Sequence, residues 1–426
     1  MLKFLFSLNK GLRLDFFEVV SSERVLQTIS EFSPLKSEIL DADTAISRIL
    51  AEDIYSPVDL PDFARSTMDG YALKANDTFG ANDSIPTYLE LVGHILMGEA
   101  PKFKLEKGQA ARISTGGMLP EGSDCVIMQE FTNLMDDKTL EVLKSTSVGE
   151  NILNVGDDLK KGEKFLASGI PLKSHDIGAL FGVGITKVQV SARPKIAILP
   201  TGDELVGPGE KTKPGQIRDI NRFSLAAAVS EMDCIPIVED ILPDDLELIK
   251  SRLKKVIQDV DIVLVSGGSS MGMRDFTVSA INSLGEPGVL IHGISIKPGK
   301  PTIVGRLDIE DGNKVVIGIP GHPVSAMMIF HKFVVPTIRR LRGEKDILFS
   351  ERGKVLAFLS RNLPSAPGRE DMIRVSLELV GDKLVASPLM GNSAMISTMT
   401  KADGYLIIPT DLDGLVSETE VEVLLY

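Results

Sequence analysis

Three glycine turns and a pair of lysines are the residues of this chain best suited to chemistry. Ser266-Gly267-Gly268-Ser269-Ser270 ends an apolar run and leads into Arg274-Asp275-Phe276-Thr277, and Lys297-Pro298-Gly299-Lys300-Pro301 stands twenty residues further on. Glycine tolerates positive φ and lets a ligand approach the main chain closely. A helix that follows such a turn offers free N–H groups and the positive end of its dipole to an anion. Lysine adds a point charge suited to phosphate or another oxyanion, and the prolines lower the entropy lost when its loop is ordered. Taken singly, the glycine run is equally an ordinary strand-to-helix turn, and the lysines a solvated loop. Taken as a pair, they point to a phosphorylated small molecule and favour an enzyme over a scaffold.

Two more turns extend the pattern, Thr201-Gly202-Asp203-Glu204 and Pro320-Gly321-His322-Pro323. Pro323 suits the first position of a helix, and Ser325 could face a phosphate. His322 reads as a hydrogen-bonding side chain rather than a general base, because no carboxylate partner can be assigned to it. Asp203, Glu204, Asp219 and Asp275 gather near the same turns. Asp219 is also a good helix N-cap. Carboxylates beside a phosphate crevice suggest Mg²⁺, which takes one or two of them together with phosphate oxygens and water; Asp219 and Asp275 are the expected ligands. The glycine run lacks the Gly-Lys-Ser/Thr ending of a Walker loop and misplaces the third glycine of a dinucleotide fingerprint.

Positioning these turns requires an α/β domain. From Pro194 onward, KIAILPTGDEL, VDIVLVSGGSS and KVVIGIPGHPVSAMMIF each read as an apolar strand running into a glycine turn, with the helical pattern DINRFSLAAAVSEMD between the first two. Apolar strands alternating with helices predict a parallel sheet covered on both faces. Ligands of such sheets sit beyond the carboxyl ends of the strands, so the three turns should line one crevice. Upstream, residues 21–55 read as helices, one capped near Ser21 and a second near Asp41–Thr44 running through Ile46, Ile49 and Leu50. Short β-prone runs fill residues 61–149, a helical patch lies around His175–Phe181, and β texture returns after Gly343.

A length of 426 residues predicts two to four domains. The net charge of −13, without a Lys/Arg run, argues against a nucleic-acid partner. Cys125 and Cys234 have no metal or disulfide spacing and read as buried thiols in a reducing compartment, and the scattered histidines argue against a zinc site. The N-terminal apolar patch breaks too early for a secretory signal, and no window of about 18 apolar residues predicts a membrane span. Cytoplasm is the expected location.

The motifs, in this order and spacing, resemble the molybdopterin molybdenumtransferase family (MoeA and the gephyrin E domain). They are LPDFARSTMDGYAL (60–73), RISTGGMLPEGSDCVIMQE (112–130), ENILNVGDDLKKGE (150–163), LPTGDEL (199–205), GQIRDINR (215–222), SGGSSMGMRDFT (266–277), IKPGKP (296–301) and IPGHPVSA (319–326). The resemblance implies an elongated homodimer of α/β plus β class. Each chain would have a discontinuous helical domain (18–60 and 150–192), an inserted β domain (61–149), a doubly wound molybdopterin-binding-like α/β domain (193–343) and a C-terminal β-barrel (344–426). It implies insertion of molybdate or tungstate into adenylylated molybdopterin, with release of AMP. Asp69, Asp158, Glu204, Asp219 and Asp275 would be the catalytic acids, Asp69 reaching across the dimer from the other subunit. Without the resemblance, Asp69 is simply a turn-forming residue before Gly70.

Thr201, Gly202, Gly267, Gly268, Ser269, Lys297, Lys300, Pro320, Gly321 and Ser325 would bind substrate, with Arg369 and Ser393 matching positions associated with molybdate. A molybdopterin adenylyltransferase and apo-molybdoenzymes are the implied protein partners. The chain departs from the family where it places His322, usually asparagine, and Ser270, usually valine. A molybdopterin adenylyltransferase, which shares a Gly-Gly turn followed by an Arg-Asp-x-Thr stretch, and a gephyrin-like scaffold are the alternatives.

Overall fold

The computed structural model describes residues 19–267, 271–347 and 353–426. Ser21 starts the first helix as its sequence predicts: its Oγ accepts a hydrogen bond from Arg24 N at 3.3 Å, and the helix Ser22–Ser30 follows. Val25 and Ile29 point from that helix into the core of the α/β domain, with Phe32 just beyond. The helix expected over 44–50 does not form. Only a 3₁₀ turn, Ala42–Thr44, is present, and Ser47 adopts φ 63°. Tertiary pairing outcompetes local propensity there. Ser47 N donates to Leu172 O at 2.8 Å, Leu50 N to Ile170 O at 3.0 Å and Ala51 N to Gln189 O at 2.9 Å. Ala42, Ala45 and Leu50 thereby reach Leu172, Leu180 and Val190 in a small core of their own. Strand Ser37–Asp41 pairs with Lys187–Ser191, so the two sequence segments meet mainly through strands, with the helix Ser174–Gly182 packed beside them.

Between these segments stands a six-stranded sheet in which Gly70–Leu73 lies between Cys125–Met128 and Gln109–Ile113. Gly70 is obligatory at its start, because a Cβ there would overlap the carbonyl of Ile127. Both cysteines of the chain are buried and free, and burial pushes the pKa of each thiol up to about 12.

The α/β domain is built on a six-stranded sheet. Lys195–Pro200, Ile262–Ser266, Gly312–Ile319 and Ile235–Val238 run parallel, and two antiparallel strands, Ile303–Ile309 and Pro287–His292, extend one edge. Successive side chains of a strand face opposite ways. Ile196, Ile198, Ile262 and Leu264 therefore pack under Leu225, Val229 and Phe333, while Ala197, Leu199, Val263 and Val265 pack against Ile249, Leu253 and Ile281. Burial of both faces explains why these strands read as unbroken apolar runs.

Five strands, Lys354–Leu359, Glu370–Val380, Lys383–Pro388, Gly404–Ile408 and Glu420–Leu425, close into a barrel through the pairing of Glu370–Val380 with Gly404–Ile408. The short strand Ile296–Lys297 of the α/β domain adds in parallel to its rim, Lys297 opposite Asp371. Glu370 fastens the same junction, accepting from Ser22 Oγ at 2.8 Å and facing Lys332 Nζ at 3.1 Å. No helix among the described residues is long and apolar enough to cross a membrane.

Candidate functional site

The parallel strands deliver their turns to one place. Thr201 N donates to Ser266 O at 2.8 Å and Gly267 N to Ile319 O at 3.3 Å. Asn221, in the first turn of the helix Asn221–Glu231, spans two of the turns by donating Nδ2 to Ser266 Oγ at 2.9 Å and to Gly321 O at 2.8 Å. Gly267 has φ 141°, and a Cβ on it would run into the carbonyl and hydroxyl oxygens of Thr201. The chain can pass here only as glycine. Gly267→Ala is expected to lower the thermal midpoint and to loosen the turn, measured by calorimetry and by AMP titration of the folded variant. Gly268 and Ser269 lie outside the described residues.

Two cavities adjoin at these turns, of about 900 Å³ and 540 Å³, and His322 lines both. The larger holds Lys297, Lys300, Pro320, Ser325, Arg369 and Ser393, six of the residues expected from sequence. The smaller holds Thr201, Glu204, Asp219, Gly267 and Gly321. Gly202 lines neither cavity and gives its N–H to Leu242 O at 3.1 Å. Asp69, Asp158 and Asp275 are exposed and line neither cavity. Asp69 is held as a turn residue, its Oδ1 accepting from Thr115 N at 2.7 Å and Thr115 Oγ1 at 3.1 Å.

Register between domains makes the larger cavity cationic. With Lys297 paired opposite Asp371, the Lys-Pro-Gly-Lys-Pro loop faces Arg369, just before the barrel strand Glu370–Val380, and Arg374 within it. Asp371, 2 % exposed, accepts from Arg369 Nε at 2.9 Å and so orients that guanidinium. Sequence reading passed over Arg374. It is 6 % exposed, lines the same cavity, gives one nitrogen to Gly391 O at 3.3 Å, and keeps a buried Nε without a hydrogen-bond partner. Burial lowers its pKa from the ordinary arginine value. An inward arginine at a strand position flanked by apolar residues was the available signal.

The acidic side is also rearranged relative to expectation. Asp219, 3 % exposed, precedes the N-cap Ile220 and accepts from Arg222 N in the first helical turn at 3.1 Å; its Oδ2 stands 2.9 Å from Arg222 Nε as an ion pair lying off hydrogen-bond alignment. Asp244 was missed. Its N–H donates to Asp203 Oδ1 at 3.2 Å, and its own Oδ1 is buried with no hydrogen-bond partner. Burial, then the charges of Asp203 and Glu204, raises the Asp244 pKa above its ordinary value. The clue was a doubled aspartate: Asp245 alone caps the helix Leu246–Val256, accepting from Leu248 N at 2.9 Å.

Comparison with known proteins agrees with this architecture. Three family models match in succession: the MoeA N-terminal region (domain I and II) over residues 20–184, a probable molybdopterin binding domain over 197–340, and the MoeA C-terminal region (domain IV) over 357–426. The molybdopterin molybdenumtransferase of Haemophilus influenzae is 34 % identical over 377 residues, covering 88 % of this chain and 90 % of its own length. That of a Nostoc species is 36 % identical over 307 residues, covering 72 % and 70 %. The crystal structure of a molybdopterin biosynthesis MoeA protein from Pyrococcus horikoshii OT3 matches with a TM-score of 0.81 at 32 % identity, covering 96 % of this chain and all (100 %) of that one. On these grounds the chain belongs to the molybdopterin molybdenumtransferase (MoeA) family.

Proposed function

We propose that this chain is a molybdopterin molybdenumtransferase of molybdenum cofactor biosynthesis, which inserts molybdate or tungstate into adenylylated molybdopterin and releases AMP. The observation that carries the reading is the pair of adjoining cavities that share His322, one lined by Lys297, Lys300, Arg369 and Arg374 and the other by main-chain turns. A tetrahedral metal dianion and a phosphate need fixed cations, which the larger cavity supplies. An adenylyl phosphate needs close main-chain approach, which Gly267 and Gly321 permit. Attack at phosphorus then depends on positioning and charge neutralisation more than on a nucleophilic side chain.

Mg²⁺ would sit among the carboxylates behind Glu204, which lines the smaller cavity. Asp244, with its unpartnered Oδ1 beside Asp203 and Glu204, would gain most from a cation there. Glu204 lines the smaller cavity, where Asp219 is already engaged by Arg222, so Glu204, with Asp244 behind it, is put forward as the ligand pair. Among the described residues, no group of three or more His, Cys, Asp or Glu side chains could hold a metal ion. Mg²⁺ that takes most of its ligands from phosphate and water needs only one or two carboxylates. When bound, it neutralises phosphate charge.

Asp69 would act from the β domain of the second subunit of a homodimer, and Asp158 would hold Mg²⁺ or orient water. The adenylylated substrate would come from a molybdopterin adenylyltransferase, and the loaded cofactor would pass to apo-molybdoenzymes, in the cytoplasm. Incubation of the purified chain with adenylylated molybdopterin, Mg²⁺ and molybdate is expected to release AMP. Absence of AMP with substrate shown to be intact overturns the reading.

A further inference from the structure

Arg374 carries a charge that the chain does not balance. It is 6 % exposed and lines the larger cavity. The charged side chains nearest it in sequence are paired with other residues, Asp371 with Arg369 at 2.9 Å and Glu370 with Lys332 at 3.1 Å. Among the described residues, no acidic side chain forms an ion pair with Arg374. The Tyr426 phenol could offset its charge only by ionising, and burial raises that phenol's pKa and keeps it neutral. What the guanidinium does have is carbonyl dipoles. One terminal nitrogen donates to Gly391 O at 3.3 Å and Leu389 O at 3.5 Å, and Nε is buried with no hydrogen-bond partner. A carbonyl accepts a proton of the fork without cancelling its charge. Burying an ion without a counter-charge is costly, and arginine does not escape the cost by losing its proton. An anion entering the cavity would supply the missing charge.

Resting on the function proposed above, we propose that Arg374 is a specificity-determining residue of the larger cavity: its buried, uncompensated charge selects a dianion over a monoanion. Lys297 and Lys300 are exposed, so water and salt screen them; a buried cation is screened much less. Because Nε is shut away from the cavity, the guanidinium acts mainly through its field rather than by a two-pronged grip on the ligand. Coulomb energy scales with the charge of the ligand. Removing the cation therefore costs a dianion twice the free energy that it costs a monoanion of the same shape, and the fold-loss for the dianion is the square of that for the monoanion. A purely structural role predicts something else. Slackening of the 389–391 segment, and with it of Ser393, would weaken both anions by the same factor.

Molybdate and perrhenate, tetrahedral oxyanions of nearly equal size that carry two charges and one, make the comparison. Titrated by calorimetry into the full chain, molybdate is expected to bind at least about tenfold more tightly than perrhenate. Arg374→Gln is neutral but still a hydrogen-bond donor; it should lose about 10²-fold in affinity for molybdate and about tenfold for perrhenate. Arg374→Lys keeps a charge on a flexible stem and should hold both affinities within about threefold of the parent. Equal fold-losses for the two anions in Arg374→Gln overturn the proposal, since they mark a structural tie to Gly391. So does an Arg374→Lys protein that keeps the parent's thermal midpoint yet loses the preference for molybdate. The parent supplies a check that needs no variant: perrhenate bound as tightly as molybdate overturns the proposal outright. If the parent binds neither oxyanion, it is the underlying function that fails.

Discussion

Replacing Lys297 and Lys300 together by alanine is expected to weaken oxyanion binding severely and leave the fold intact. Both side chains are exposed at the mouth of the larger cavity. Surface substitutions of this kind change stability by about 0.5 kcal/mol or less. Hydrogen bonds to a charged group contribute roughly 1.5–3 kcal/mol each, so losing two lowers kcat/KM by about 10²–10⁴-fold. Molybdate titration by calorimetry and AMP release measure the effect, with the thermal midpoint as the control for folding. Arg369 and Arg374 remain in the variant and, lining the same cavity, should preserve some residual binding. Full activity in the double variant would move the anion away from this loop.

Asp244→Asn should uncouple Mg²⁺ from the enzyme and, without the metal, stabilise it. The Asp244 pKa is raised above 3.8 by burial and by its acidic neighbours. The folded state therefore binds this proton more tightly than the unfolded state does. Stability is lost as pH rises from the unfolded value through the raised folded one, and the ionised group is a liability at neutral pH. The variant's thermal midpoint in EDTA should exceed the parent's at pH 7, with the gap closing toward pH 4. Added Mg²⁺ should raise the midpoint of the parent but not of the variant. AMP release should fall about 10²-fold, in keeping with loss of several kcal/mol of charge neutralisation. Equal Mg²⁺ stabilisation of both proteins would place the cation elsewhere.

The pairing of stabilising effect with lost activity is what a functional carboxylate cluster predicts. The charges of Asp203 and Glu204 raise the pKa of buried Asp244, so its ionised form weakens the folded state unless a cation is bound beside it. By contrast, Asp371 and Glu370 at the other cavity are matched by Arg369 and Lys332 within the chain, and they serve to orient and fasten rather than to receive metal.

Much of the α/β domain was legible because its determinants are local. Runs such as KIAILP and IVLVS can be buried on both faces only as interior strands, and the glycines that end them mark where the chain must turn. The second N-terminal helix was misread because its propensity was outweighed by hydrogen bonds to Leu172, Ile170 and Gln189, which lie far away in sequence. Asp244 escaped notice because Asp245 supplies a sufficient local reason for an aspartate there, and Arg374 because a strand alternation hides which face is inward.

The sequence by itself determined the chemistry available: cations on a proline-stiffened loop, glycines at strand ends, acids beside them, and the motif order that marks the family. Only the tertiary structure decided how these become a site. The parallel register of Lys297 with Asp371 brings the lysines to Arg369 and Arg374, and the bridge from Asn221 to Ser266 and Gly321 gathers the turns. The hydrogen bond between Ser393 and His322 sets one imidazole between the two cavities. Local sequence encodes what each residue can do. Long-range backbone pairing sets which of them share a volume of a few ångströms, where electrostatic and hydrogen-bonding energies become large enough to act.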